Sequence, residues 1–331
     1  MVKVAINGFG RIGRNVLRAG LEDKEIEFVA INDLSNTKTM AHLFKHDSSY
    51  GHYEGEVKHN DEELIIDGKK IKLCAEKDPE NLPWKKLGVD VVLECTGFFR
   101  TYEAAYKHIK AGAKKVIISA PPKGEKPVDF TVVLGVNDKD YNKTKDIIIS
   151  NASCTTNCLA PLSKVLNDNF EIIEGVMTTV HAYTNDQNIL DGPHSDLRRA
   201  RTAAQNIIPT TTGAAIAVTK VIPELKGKLT GIAIRVPVPV GSLVDLVVQL
   251  KKDATVEDLN KAIKKAANGK FKGIIEYSEE PLVSSDIIGN PHSCIFDASS
   301  TVKLNKMFKL LAWYDNEWGY SNRMVDLLKM L

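Results

Sequence analysis

The run Asn151-Ala152-Ser153-Cys154-Thr155-Thr156-Asn157-Cys158 sets a cysteine among small hydroxyl side chains. A cysteine thiolate attacks carbonyl carbons and forms covalent intermediates. Ile147-Ile148-Ile149 before it reads as a strand, and Leu159 to Leu166 after it as a helix. Cys154 therefore belongs at a strand-to-helix junction, where the positive end of the helix dipole favours the thiolate. The competing reading is a buried structural cysteine at a helix start. His181 alternates onto one face of the strand-like segment Val176 to Tyr183. Its ordinary pKa near neutrality makes it a candidate base if it meets Cys154, and a structural histidine otherwise. Thr210-Thr211-Thr212-Gly213 opens a helix-like run, Ala214 to Lys220, and hydroxyls with backbone amides at a helix start suit a phosphate. Arg235 lies within an apolar strand pattern, where its charge needs a partner. A phosphate and a buried carboxylate both answer that need.

A second constellation sits at the other end of the chain. Val2 to Asn7 reads as a strand, Gly8-Phe9-Gly10-Arg11-Ile12-Gly13 follows at once, and Arg14 to Leu21 reads as a helix. In that context GxGxxG is a dinucleotide fingerprint: its glycines let the backbone approach a pyrophosphate resting on the helix N-terminus. A tight structural turn is the alternative. Asp33 ends the next strand, Ile26 to Ile31, about twenty residues past Gly13, where an acidic side chain accepts bonds from an adenosine ribose. A carboxylate there repels a 2′-phosphate and so selects NAD over NADP.

These residues need elements to hold them. Val89 to Glu94, ending at Cys95-Thr96-Gly97, reads as a buried strand; Thr101 to Ala111 reads as a helix stopped by Gly112. Lys115 to Ser119, Thr131 to Gly135 and Ile147 to Asn151 read as further strands. Gly8, Asp33, Thr96, Ser119 and Cys154 all fall at strand carboxyl ends, where such sheets bind ligands. Asp67-Gly68 marks a hairpin within an antiparallel excursion. Beyond Cys154 the pattern changes: strands at Val176 to Tyr183, Thr230 to Pro237 and Ser242 to Leu250 have few helices between them, so a mostly antiparallel sheet is expected. The helix pattern Val256 to Ala266 would cover it. The fold class is thus α/β followed by α+β.

The chain of 331 residues suggests two domains. Lys+Arg 44 against Asp+Glu 42 leaves a net charge of +2, which gives no reason to expect nucleic acid or a membrane surface as main partner. No apolar run reaches membrane-spanning length, and Met1 leads straight into a strand, so no export signal is expected. Five scattered cysteines then read as reduced thiols in a cytoplasmic protein. His42 and His46, one helical turn apart beside Asp47, lack a third ligand; solvated helix histidines are expected, and no metal.

Asn7 to Arg14, Ser150 to Cys158, His181-Ala182-Tyr183-Thr184, Asp196 to Arg201 and Trp313-Tyr314-Asp315-Asn316-Glu317 together give the chain a resemblance, over essentially its whole length, to bacterial phosphorylating glyceraldehyde-3-phosphate dehydrogenases. The resemblance implies an NAD-binding Rossmann domain over residues 1–153, completed by a C-terminal helix over 317–331, and a catalytic domain over 154–316. It implies Cys154 as nucleophile and His181 as its base, acting on D-glyceraldehyde 3-phosphate with NAD and inorganic phosphate to give 1,3-bisphosphoglycerate. Ser153, Thr155, Thr212 and Gly213 would bind the attacking phosphate. Thr184 and Arg235 would hold the substrate's own phosphate, with Arg199 close to one of these anion sites. Gly8, Gly10, Arg11, Ile12, Gly13, Asp33, Thr96, Gly97 and Ser119 would form the cofactor site. Asn316 would bond the nicotinamide amide, with Tyr320 nearby.

Lys77 stands where many relatives carry an arginine at the adenine end. Pro193 matches the NAD-specific pattern, in agreement with Asp33. The loop near residues 185–205 would reach a neighbouring subunit in a homotetramer. Two rival readings remain at this stage. One is an erythrose-4-phosphate dehydrogenase, which passes the acyl group to water, against which Thr212-Gly213 with Ser153 argue. The other is a nucleic-acid or partner-binding role of the same fold.

Overall fold

The computed structural model describes all residues, Met1–Leu331. They form two compact units. One comprises Met1–Val132, Lys139–Ala152 and Ser321–Leu331; the other comprises Val133–Asp138 and Ser153–Tyr320.

The first unit is built on a nine-stranded sheet. Its strands are β1 (Val2–Asn7), β2 (Ile26–Asn32), β3 (Val57–His59), β4 (Glu63–Ile66), β5 (Lys69–Cys74), β6 (Val91–Glu94), β7 (Lys115–Ile118), β8 (Phe130–Thr131) and β9 (Ile148–Ser150). They lie in the order β8-β9-β7-β6-β1-β2-β5-β4-β3. All pairs from β8 to β5 are parallel; β3, β4 and β5 form the antiparallel excursion. Helices α1 (Arg11–Gly20), α2 (Thr37–Lys45), the short α3 (Trp84–Leu87) and α4 (Tyr102–Lys110) connect them. The central strands bury nearly every residue, as a sheet covered on both faces must: β6 is buried throughout.

The hairpin at Asp67-Gly68 forms as expected, with φ of 48° and 79° at the two turn residues, the left-handed pair that a two-residue turn requires. The expected strand over 131–135 is shorter. Only Phe130–Thr131 pairs, because the Val133 amide turns to the Asn137 side chain (2.9 Å) and Gly135 takes φ 79°. His46 leaves the helix expected for it. It opens a two-residue ribbon with His52, and the rings of His42 and His46 lie 4.8 Å apart.

The second unit carries a seven-stranded sheet: β10 (Ile172–Ala182), β11 (Ile208–Thr211), β12 (Leu229–Val236), β13 (Ser242–Leu250), β14 (Ile275–Ser278), β15 (Cys294–Leu304) and β16 (Met307–Tyr314). Their order is β11-β12-β10-β13-β16-β15-β14. It is mostly antiparallel, but β14 and β15 run parallel, as do β10 and β12, which set His181 opposite Arg235. Strand β13 alternates buried and half-buried residues perfectly, the signature of a sheet with one covered face. Helices α5 (Cys154–Phe170), α6 (Ala214–Val221) and α7 (Val256–Asn268) belong to this unit. A full capping box at Thr255 and Asp258 starts α7. The last helix, α8 (Trp318–Met330), returns the chain to the first unit from Ser321 onward.

Candidate active site

In the first unit, the turns after β1, β2 and β6 surround a cavity of about 350 Å³. Gly8, Gly10, Asp33, Lys77 and Thr96 line it, as do Asn7, Asn32, Leu34, Glu76 and Phe98. The last five have weaker sequence signals: each lies within two residues of an expected one. Gly8 has φ 93°, and a Cβ there would meet the Thr96 amide nitrogen at 2.7 Å, so only glycine lets the β1 and β6 turns pack together. A Cβ on Gly13 would strike the Gly8 carbonyl oxygen at 2.3 Å; this glycine serves the close approach of α1 to β1. Gly10 differs: nothing lies within 4 Å of its Cβ position, which leaves the start of α1 open to a ligand.

Asp33 accepts from the Phe9 amide at 2.8 Å and the Ser35 amide at 2.9 Å, which fixes the carboxylate at the cavity wall. These features fit a dinucleotide, with pyrophosphate at the open helix start and a ribose at Asp33. Of the other expected residues, Arg11 pairs with Asp47 and lies over the Tyr50 ring, and Gly97 takes φ 76° in open space. Ile12 is the second residue of α1, and the Ser119 amide bonds the Glu94 carbonyl at 3.0 Å.

Beneath the cavity, Asn7 and Glu94 are cross-strand partners at the ends of β1 and β6. Glu94 is buried and accepts from Asn7 Nδ2 (2.6 Å), His108 Nε2 (3.2 Å) and the Thr96 amide (2.8 Å). Trp84 Nε1, which can only donate, bonds His108 Nδ1 at 3.0 Å. The His108 proton therefore sits on Nε2, toward Glu94.

In the second unit, Ser153 caps α5 and accepts from the Thr156 amide at 3.0 Å. The preceding residue, Ala152, has φ 52°, a conformation that reverses the chain out of β9. Cys154 Sγ lies 3.5 Å from His181 Nε2. The structure thus brings together the two residues that sequence alone left apart. Helix position was expected to favour the thiolate. Instead burial pushes the Cys154 thiol up, and Arg235 and the Thr155 amide offset that only in part. Burial, then the Arg235 charge, pushes His181 down to about 3. Burial thus works against charge on both groups.

Arg235 pairs with no carboxylate. Its Nη1 reaches His181 Nδ1 at 2.6 Å and the Ala182 carbonyl at 2.9 Å, and its buried Nε has no partner. Arg199 is turned elsewhere, to Asp186, Thr210 Oγ1 (2.9 Å) and the Thr211 carbonyl. The Thr184 amide bonds the Gln187 side chain at 3.3 Å. Gly213 precedes α6 with open space around its Cβ position, and Thr212 Oγ1 accepts the Ala214 amide.

Asn316 Oδ1 accepts from the Gly241 amide (3.1 Å) and Ser242 Oγ (2.9 Å). Those bonds orient its Nδ2 as the free donor. Tyr320 is buried. Tyr314, visible in the sequence only as part of a motif, bridges Thr155 and Thr179 with 2.8 Å bonds and sets its ring edge-on to His181. Only its spacing in Trp313-Tyr314-Asp315-Asn316 hinted at this.

Two family models match the chain: the glyceraldehyde 3-phosphate dehydrogenase NAD binding domain over residues 2–102, and the C-terminal domain of the same family over residues 153–316. A glyceraldehyde-3-phosphate dehydrogenase of Geobacillus stearothermophilus is 60% identical over 327 residues, covering 98% of this chain and 97% of its own. The chain belongs to the glyceraldehyde-3-phosphate dehydrogenase family. The Streptomyces coelicolor enzyme of that name is 59% identical over the same shares of the two chains. Glyceraldehyde-3-phosphate dehydrogenase 1 of Bacillus subtilis is 58% identical, again over 98% of this chain and 97% of its own. Within this family, the cavity over β1, β2 and β6 lies in the region matched as NAD-binding, and Cys154 with His181 lies in the C-terminal match.

Proposed function

We infer that the chain oxidises D-glyceraldehyde 3-phosphate to 1,3-bisphosphoglycerate with NAD and inorganic phosphate. The observation that carries this is the 3.5 Å contact of Cys154 with His181 at the capped start of α5. Cys154 adds to the aldehyde and gives a hemithioacetal. His181 takes the hydroxyl proton as the carbon gives up its hydrogen, because an alkoxide expels hydride far more readily than an alcohol. NAD held by Gly8, Gly10 and Asp33 would supply the hydride acceptor. The product is a thioester on Cys154, whose oxyanion states the Cys154 amide would stabilise. Phosphate held by Ser153, Thr155, Thr212 and Gly213 then attacks the thioester and frees the sulfur.

In this reading, Thr184 and Arg235 take the substrate phosphate, and Arg199 would leave Asp186 to join them. Asn316 donates its Nδ2 to the nicotinamide amide, with Tyr320 nearby. Gly8, Gly10, Arg11, Ile12, Gly13, Asp33, Lys77, Thr96, Gly97 and Ser119 serve the cofactor. Residues 1–153 with 317–331 act as cofactor domain and 154–316 as catalytic domain. Large apolar side chains near the 185–205 loop, Leu190 and Leu197 (82% exposed), support a homotetramer that covers them. Five free cysteines suit a cytoplasmic enzyme, and no helix is long and apolar enough to cross a membrane.

The test is NADH formation from glyceraldehyde 3-phosphate and NAD, with phosphate present or omitted. Continuous turnover only with phosphate is expected. A single burst that phosphate does not extend would mean another acyl acceptor, and no NADH at all would overturn the reading.

A further inference from the structure

Two arms of hydrogen bonds beneath the cofactor cavity run toward one acceptor. The Glu76 amide donates to Asn32 Oδ1 at 2.8 Å, and Asn32 Nδ2 returns a bond to the Glu76 carbonyl at 2.9 Å. Asn32 Nδ2 also donates to Asn7 Oδ1 at 2.7 Å, and Asn7 Nδ2 donates to Glu94 Oε2 at 2.6 Å. From the other side, Trp84 Nε1 donates to His108 Nδ1 at 3.0 Å, and His108 Nε2 donates to Glu94 Oε2 at 3.2 Å. Each arm begins at a group that can only donate, a backbone amide or an indole. Neither asparagine can flip, and His108 cannot change tautomer, without setting donor against donor. Glu94 Oε1 accepts from the Thr96 amide at 2.8 Å and from the Thr96 hydroxyl. Both arms thus end on one carboxylate at the tip of β6.

Glu94 does not line the cavity, but the residues it holds do: Asn7, Asn32, Glu76 and Thr96. They stand at the ends of β1 and β2 and in the turns after β5 and β6. Asn7, Asn32, Trp84, Glu94 and His108 are all buried, so water cannot replace a bond that is lost. The β1 and β6 turns already touch where Gly8 meets the Thr96 amide, and a small shift of either reshapes the floor. We propose that Glu94 is a positioning residue for the cofactor. Its carboxylate is the common acceptor that draws the ends of β1, β2 and β6 into one floor, and His108 and Trp84 support it. The consequence is a division of labour. Every residue of the network belongs to the first unit, whereas Cys154 and His181 belong to the second. Glu94 therefore sets how tightly the dinucleotide is held and leaves the chemistry on Cys154 unchanged.

This inference rests on reading the cavity as an NAD site, and its test separates the two. Glu94→Gln keeps the side-chain volume but puts an NH₂ group where only an acceptor fits. That group must face N–H donors from Asn7 and His108, or from Thr96. The Kd for NAD, read by fluorescence titration, should rise by about tenfold or more, the effect of one buried donor left unpaired. The NADH burst at saturating NAD should keep its wild-type rate, so the loss falls on KM for NAD and not on kcat. Asn7→Asp alone sets a second carboxylate against Glu94 and should weaken NAD binding as well. Combining Glu94→Gln with Asn7→Asp moves the charge from β6 to β1. The carboxylate at position 7 can then accept from Asn32, from the amide at position 94 and from His108 Nε2, which lies 3.4 Å from Asn7 Nδ2. The double variant should recover the wild-type Kd, a reversal that a residue merely filling space would not produce. Should Glu94→Gln alone fail to fold, a double variant that folds and binds NAD still supports the proposal. Wild-type affinity in Glu94→Gln, or a double variant that recovers nothing, overturns it. Wild-type protein that does not bind NAD would instead sink the cofactor reading.

Discussion

At the scale of single residues, the chemistry rests on a sulfur and an imidazole whose burial disfavours charge. Replacing Cys154 by serine swaps a good nucleophile for a poor one without touching the first unit. NADH formation should fall to background while NAD titrations stay unchanged. Replacing His181 by asparagine should slow the NADH burst by roughly 10²–10⁴-fold, the range of a general base.

The same histidine makes a stability prediction. Folded His181 stays neutral down to about pH 3. In the unfolded chain it takes a proton near the ordinary value of about 6.5. Between those limits the unfolded state binds more protons, so stability falls as pH falls. The contribution is whole above about pH 6.5 and drains away below it, costing about 2 kcal/mol by pH 5. Urea midpoints taken at pH 7 and pH 5 should therefore drop further for wild type than for His181→Asn. Equal drops would mean that His181 is protonated in the fold.

At the scale of elements, the β1–α1 turn divides one motif into two jobs. A methyl group on Gly13 would overlap the Gly8 carbonyl and force α1 away from β1. Gly13→Ala should thus lower both thermal stability, by about 1–3 kcal/mol, and NAD affinity. Gly10 has φ −73° and free space around its Cβ position, so Gly10→Ala should change stability by no more than about 1 kcal/mol. That methyl would occupy the space over the helix start and weaken NAD binding by about tenfold or more. Unchanged NAD affinity in Gly10→Ala would place the pyrophosphate elsewhere.

The turn was legible in the sequence because its glycines, its strand and its helix are contiguous. So was the start of α5, where Ser153 and Cys154 follow an apolar strand. The His181–Arg235 contact was not. It depends on two strands far apart in the chain running parallel in an otherwise antiparallel neighbourhood, and alternation within each strand carries no information about its neighbour's direction. Thr131 to Gly135 misled for a related reason. Its apolar residues are buried as a strand's would be, but a side-chain bond from Asn137 ends the pairing early.

At the scale of the whole molecule, the chain builds its first unit from both of its ends. Residues Ser321–Leu331 belong with Met1–Val132 although the entire second sheet separates them in sequence. The reason is visible in α8, which buries Met324, Leu327 and Leu328 completely and sets Val325 within 3.2 Å of where a Gly20 Cβ would lie on α1. Lys329 adds a 3.2 Å ion pair with Asp23, a partly exposed contact worth little by itself. Four buried aliphatic side chains at about 1.5–3 kcal/mol each come to roughly the entire net stability of a typical domain, about 5–15 kcal/mol. Deleting residues 321–331 should therefore unfold the first unit rather than fray its edge. Its segments should become protease-sensitive and NAD binding should vanish, while the second sheet, complete without those residues, should keep its protected fragments. Lys329→Ala should lose less than about 1 kcal/mol and still bind NAD. If the deletion variant bound NAD normally, burial against α1 could not be what recruits the last helix.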